Sequence, residues 1–111
     1  MSSQTEGSVS ELDLESNVNG DVATVIVRGE VDVASAPRLR ELLHDLVDAD
    51  THSIVLDCHG LEFLDSSGIG LLVAVRKRMG DDGELVLDSA PAHVRKVLEL
   101  TGVAEELVLR P

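Results

Sequence analysis

The sequence predicts a single α/β domain: a mixed, mostly parallel sheet of four to five strands with helices packed mainly on one face. Three observations lead there. After an opening pair of strand-like runs, short β-branched runs alternate with Leu-rich segments of helical period, the pattern of parallel strands joined by right-handed crossovers. Hydrophobic residues make up 43% of the chain, yet Trp and Tyr are absent and there is one Phe, so Val, Leu, Ile and Ala must fill the core. β-Branched residues suit strands, and Leu and Ala suit helices. A length of 111 residues gives room for one domain.

Each element has its own signal. Residues 1–7 are polar after Met1 and are expected to form a disordered N-terminal tail, with the domain spanning residues 8–111. Val9, Leu12 and Leu14 mark a first strand, and Asn19-Gly20 a hairpin turn. The run from Val22 to Val27 is apolar at nearly every position, as for a strand inside a sheet. Gly29-Glu30-Val31-Asp32 leaves it as a loop, and Ser35 is placed to N-cap a helix with Pro37 in its first turn. Leu39, Leu42, Leu43, Leu46 and Val47 form the apolar stripe of that helix. Ser53 to Cys58 reads as the third strand, residues 67–79 as the second helix, and Glu84 to Asp88 as the fourth strand. Pro91 opens a third helix, carrying Val94, Val97 and Leu98 and ended by Gly102. Leu107-Val108-Leu109 can add a short edge strand.

Charge narrows the partners. The formal net charge is −12, with 21 acidic residues against nine Lys plus Arg. Phosphate backbones and anionic membranes both require a cationic surface, so nucleic acid and membrane are not expected as partners. No run approaches the ~20 apolar residues that span a bilayer, and the start lacks the basic and apolar stretches of a signal peptide. The expected location is the cytoplasm. The one cysteine, Cys58, ends an apolar run and is expected as a small core residue.

The segment Asp65-Ser66-Ser67-Gly68-Ile69-Gly70 joins the third strand to the second helix. Small hydroxyl residues and glycines at a helix start leave backbone N–H groups open, and the helix dipole favours negative charge there. A phosphate on Ser66 is therefore expected to leave the fold intact and to change what docks there. Catalytic patterns do not assemble. Gly68-x-Gly70 has Val73 at the third glycine position of a dinucleotide fingerprint, and neither Gly-x-x-x-x-Gly-Lys nor Gly-x-Ser-x-Gly occurs. His44, His52, His59 and His93 lack metal-ligand spacing and are expected at the surface. No catalytic residue, metal or cofactor is expected.

The run Ile54-Val55-Leu56-Asp57, then Leu61-Glu62-Phe63-Leu64-Asp65-Ser66-Ser67-Gly68-Ile69-Gly70-Leu71-Leu72, resembles the signature of the STAS domain family, in particular its stand-alone anti-sigma factor antagonists. Gly29-Glu30-Val31-Asp32 matches a second recurring element of that family, and Leu98-x-x-Thr101-Gly102 resembles its third-helix ending. Together they cover roughly residues 8 to 110. The Cys58-His59-Gly60 stretch has no counterpart in the pattern and reads as a local bend.

The resemblance implies a cytoplasmic bacterial regulator of transcription and stress response, not an enzyme. Such a protein binds an anti-sigma factor that is itself a serine kinase, and so frees a sigma factor. The kinase phosphorylates the first Ser of Asp-Ser-Ser-Gly, here Ser66, with Ser67 the runner-up, and a serine phosphatase restores binding. Carried onto this chain, the partner-binding residues are Glu30, Asp32, Asp65, Ser66, Ser67, Gly68 and Ile69, and the state is a monomer or weak dimer. A nucleotide-binding domain and a scaffold subunit of a stress-signalling complex are the alternatives.

Overall fold

The structure, a computed structural model, describes residues 12–111. The tail expected over residues 1–7 and the strand start expected at Val9 lie outside the described residues. Six strands, three helices and a 3-10 turn follow in order: β1 Leu12–Asn19, β2 Val22–Val31, α1 Ala36–Asp48, β3 Ser53–Asp57, β4 Leu61–Leu64, α2 Ser66–Met79, β5 Glu84–Asp88, α3 Ala92–Leu100, the 3-10 turn Val103–Glu106 and β6 Val108–Arg110.

The sheet runs β1-β2-β3-β5-β6, and β4 also pairs with β2. Only β1 and β2 are antiparallel; β2–β3, β2–β4, β3–β5 and β5–β6 are parallel. β1 and β2 are joined through the pair Asn19–Val22, so Gly20 and Asp21 form the loop. Gly20 has φ +67°, and positive φ at the first central residue alone is the pattern of a type II′ turn. The turn thus sits one residue later than Asn19-Gly20 suggests.

β4 is a strand beyond the four to five expected. β2 is ten residues long and outruns the five of β3, using Val22–Ile26 for β3 and Gly29–Val31 for β4. The bend at Cys58-His59-Gly60 lets the chain leave β3 and rejoin the same edge of β2: Leu61 N–H donates to Cys58 O at 3.0 Å and Gly29 N–H to Gly60 O at 2.9 Å.

The core lies on one face of this sheet. Ala23, Val25, Val27, Ile54, Leu56, Leu85 and Leu87 point into it and meet Leu39, Leu43 and Leu46 of α1, Leu71, Leu72 and Val75 of α2, and Val94 and Leu98 of α3. The intervening residues Thr24, Ile26 and Val55 are only half-buried. The apolar run from Val22 to Val27 therefore marks an interior strand that is helix-covered on one face only. Cys58 is a core residue, as expected, 1% exposed.

Candidate functional site

The end of β2, the turn after it, β4 and the start of α2 meet at the C-terminal ends of the parallel strands, where open α/β sheets place their sites. Asp65 N–H donates to Val31 O at 3.1 Å, fastening the start of α2 to the end of β2. Asp65 is extended (φ −100°, ψ −170°) and is the N-cap: its Oδ1 accepts from Ser67 N–H at 2.8 Å and from Gly68 N–H at 3.3 Å. Basic Arg76, Lys77 and Arg78 fill the last turn of α2, where the negative end of the helix dipole favours them.

This capping distinguishes Ser66 from the runner-up Ser67. Ser66, the first helical residue, is exposed, whereas Ser67 is half-buried and Gly68 buried. A Cβ on Gly68 would lie 2.2 Å from Leu64 Cδ1 and 2.9 Å from Val31 Cγ1, so this glycine allows close packing of α2 on β2 and β4. Ile69 is partly buried against the core. The free N–H groups expected to cradle a phosphate on Ser66 are revised: Asp65 already takes those of Ser67 and Gly68. A phosphate there gains no nest and adds its charge beside a carboxylate.

The second half of the site is the turn Asp32–Ser35. Asp32 Oδ1 accepts from Ala34 N–H and Ser35 N–H, both at 3.0 Å, while Ser35 Oγ donates to Glu30 O at 2.8 Å and accepts from Asp32 N–H at 2.9 Å. Ser35 does stand at the N-cap of α1, but its side chain makes no capping bond. Its hydroxyl is buried and turned back into the loop. Pro37 lies in the first turn of α1 as expected. Glu30 is half-buried, paired in register with Phe63, and Glu62 is exposed. His93 of α3 places Nε2 2.8 Å from Glu62 O, and since a carbonyl can only accept, that nitrogen carries the proton.

Two apolar side chains were not singled out by the sequence. Val33, in the Asp32–Ser35 turn, is 75% exposed, and Phe63, the chain's sole aromatic, is 45% exposed. The nucleotide alternative gains nothing from Arg76, the cation nearest to Ser66 in sequence. Arg76 lies ten residues into α2 from Ser66, about 15 Å along the axis, and its guanidinium bonds Gly80 O and Glu106 O. Among the described residues, no three His, Cys, Asp or Glu side chains are grouped as a metal would need, and no helix is long and apolar enough to cross a membrane.

Comparison with known proteins agrees with this arrangement. A Staphylococcus epidermidis anti-sigma-B factor antagonist is 27% identical over 95 residues, 85% of this chain and 88% of that protein. An anti-sigma factor antagonist from Mycobacterium paratuberculosis has the same fold, with a TM-score of 0.85 and 24% identity over 96% of this chain and 91% of the other. The phosphorylated form of the Bacillus cell fate determinant SpoIIAA follows at a TM-score of 0.69, with 22% identity over 89% of this chain and 90% of the other. The STAS domain profile matches residues 13–111, from the second residue of β1 to the last of the chain. With the strand order, the one-sided helix layer and the Asp65-capped start of α2 all inside that match, the chain belongs to the STAS domain family.

Proposed function

We propose that this protein is an anti-sigma factor antagonist. It binds, in the cytoplasm, an anti-sigma factor with serine kinase activity and so releases a sigma factor. Phosphorylation at Ser66 switches it off and a serine phosphatase restores it; the chain performs no catalysis of its own. One observation carries the reading: Ser66 offers an exposed hydroxyl at the start of α2, immediately beside the Asp65 carboxylate. The names of the antagonists that share its fold and family support it.

The switch follows from charge. A phosphoserine adds close to two negative charges at neutral pH. The segments 30–35 and 61–70 already carry Glu30, Asp32, Glu62 and Asp65 and no Lys or Arg. A partner matched to that surface loses binding when repulsion and desolvation at Ser66 cost about 3 kcal/mol, more than a hundredfold in affinity. Because Ser66 is exposed, the cost falls on docking and leaves the fold in place. Glu30, Asp32, Asp65, Ser67, Gly68 and Ile69 belong to this surface in different ways, with Gly68 acting through packing and Asp32 through the turn it holds.

The test titrates each purified anti-sigma factor serine kinase of the source organism with wild type, Ser66→Ala and Ser66→Asp. Mass spectrometry then maps the phosphorylated peptide after incubation with ATP. Wild type and Ser66→Ala should bind, Ser66→Asp should bind at least a hundredfold more weakly, and phosphate should appear on Ser66. Equal binding by Ser66→Asp would sink the charge switch, and phosphate on Ser67 alone would move the acceptor.

A further inference from the structure

We infer that Val33 and Phe63 are the apolar anchors of the partner-docking surface, and that the partner meets them with an apolar patch bordered by Lys or Arg. This rests on the antagonist reading above and names the residues that supply its affinity, where the phosphorylated serine supplies its control.

Both residues are costly to a free domain. Burial of apolar surface favours folding, yet the only aromatic of the chain stays out of an otherwise aliphatic core. Phe63 pairs in register with Glu30 on β2, and Val33 stands two residues beyond Val31, whose carbonyl takes the Asp65 N–H. Both therefore lie on the two segments that adjoin Ser66. Neither is loosely held. Phe63 is in a strand, and the Val33 turn is closed by the four hydrogen bonds among Glu30, Asp32, Ala34 and Ser35. A rigid, exposed apolar side chain binds with little ordering entropy still to lose, and interface hot spots are enriched in aromatics ringed by polar residues.

Within the two segments the charge has one sign. Four carboxylates and no Lys or Arg occur in the segments 30–35 and 61–70, so a protein with basic residues around an apolar patch is the complementary partner. A second copy of this chain would oppose carboxylate to carboxylate, and self-association through this face is disfavoured. Leu100, at the end of α3, is 76% exposed but sits outside these segments and serves as the control.

The experiment measures binding of the anti-sigma factor identified by titration to wild type, Val33→Ser, Phe63→Ser and Leu100→Ser, with thermal unfolding of each variant. Val33→Ser and Phe63→Ser should each weaken binding tenfold or more and Leu100→Ser less than twofold, with melting temperatures close to wild type. The factor lost by Val33→Ser should persist when NaCl is raised, because an apolar contact is not screened. Binding within twofold of wild type for both site variants, while Ser66→Asp still binds weakly, overturns the anchors and leaves the antagonist reading standing. No binding by wild type overturns both. Sedimentation showing a wild-type dimer that Phe63→Ser dissociates, with partner binding unchanged, assigns the face to a second copy and overturns the proposal.

Discussion

Asp32 and Ser35 bond each other reciprocally: Asp32 N–H donates to Ser35 Oγ at 2.9 Å, and Asp32 Oδ1 takes Ser35 N–H at 3.0 Å. The pair closes the turn between β2 and α1. Ser35 is 1% exposed, and its hydroxyl also satisfies Glu30 O. Ser35→Ala removes the hydroxyl that takes Asp32 N–H and donates to Glu30 O, and is expected to lower stability by about 1–3 kcal/mol, read by urea unfolding. Asp32→Asn keeps an Oδ1 acceptor and should lose less than Asp32→Ala. Equal losses would mean that charge, not the turn hydrogen bonds, is what Asp32 contributes.

The N-cap Asp65 and the proposed acceptor Ser66 should separate in stability. Asp65→Ala removes the acceptor for Ser67 and Gly68 N–H and should cost about 1 kcal/mol. Ser66→Asp, at an exposed first-turn position, gains from the helix dipole and loses to repulsion from Asp65, so stability should stay within about 0.5 kcal/mol of wild type. Thermal melts of the two variants check this. A large destabilisation by Ser66→Asp would mean that phosphorylation acts through the fold.

Gly68 and Gly70, two residues apart on α2, should respond oppositely to Ala. At Gly68 the new methyl meets Leu64 and the stiff, β-branched Val31, and overpacking should outweigh the better helix propensity, for a loss of about 1–3 kcal/mol. At Gly70 nothing lies within 4 Å, and Ala should stabilise by about 0.5–1 kcal/mol. Denaturation midpoints of the two variants decide it.

Burial, and after it the carboxylates of Asp57 and Asp88, push the Cys58 thiol up to about 12 from a reference of 9.0. The folded state holds the proton more tightly than the unfolded one. The stabilisation is therefore complete below pH 9 and is lost as pH rises towards 12, by up to about 4 kcal/mol. Urea unfolding from pH 8 to pH 10.5 should show wild type losing stability faster than Cys58→Ala, although Cys58→Ala starts lower. Parallel slopes would show that the unfolded thiol does not ionise first.

Local signals in the sequence fix the order of every strand and α-helix but β4, the one-sided helix layer and the serine-bearing segment. These depend on local signals: the stripe Leu39-Leu43-Leu46, the turn glycines Gly20 and Gly102, and Asp65-Ser66-Ser67-Gly68 before a helix. Tertiary structure alone decided three things. It made β4 a strand, because only the overhang of β2 beyond β3 gives Leu61–Leu64 a partner. It chose Ser66 over Ser67 as the exposed hydroxyl, because Asp65 sets the phase of α2. And it turned Phe63 outward. Strict alternation would place Phe63 on the same face as Leu61, but the register shift at Gly29/Glu30 breaks the period, leaving Leu61 and Leu64 buried with Glu62 and Phe63 exposed between them. A one-residue slip in pairing is invisible to local sequence, and here it decides whether the single aromatic side chain belongs to the core or to the surface beside Ser66.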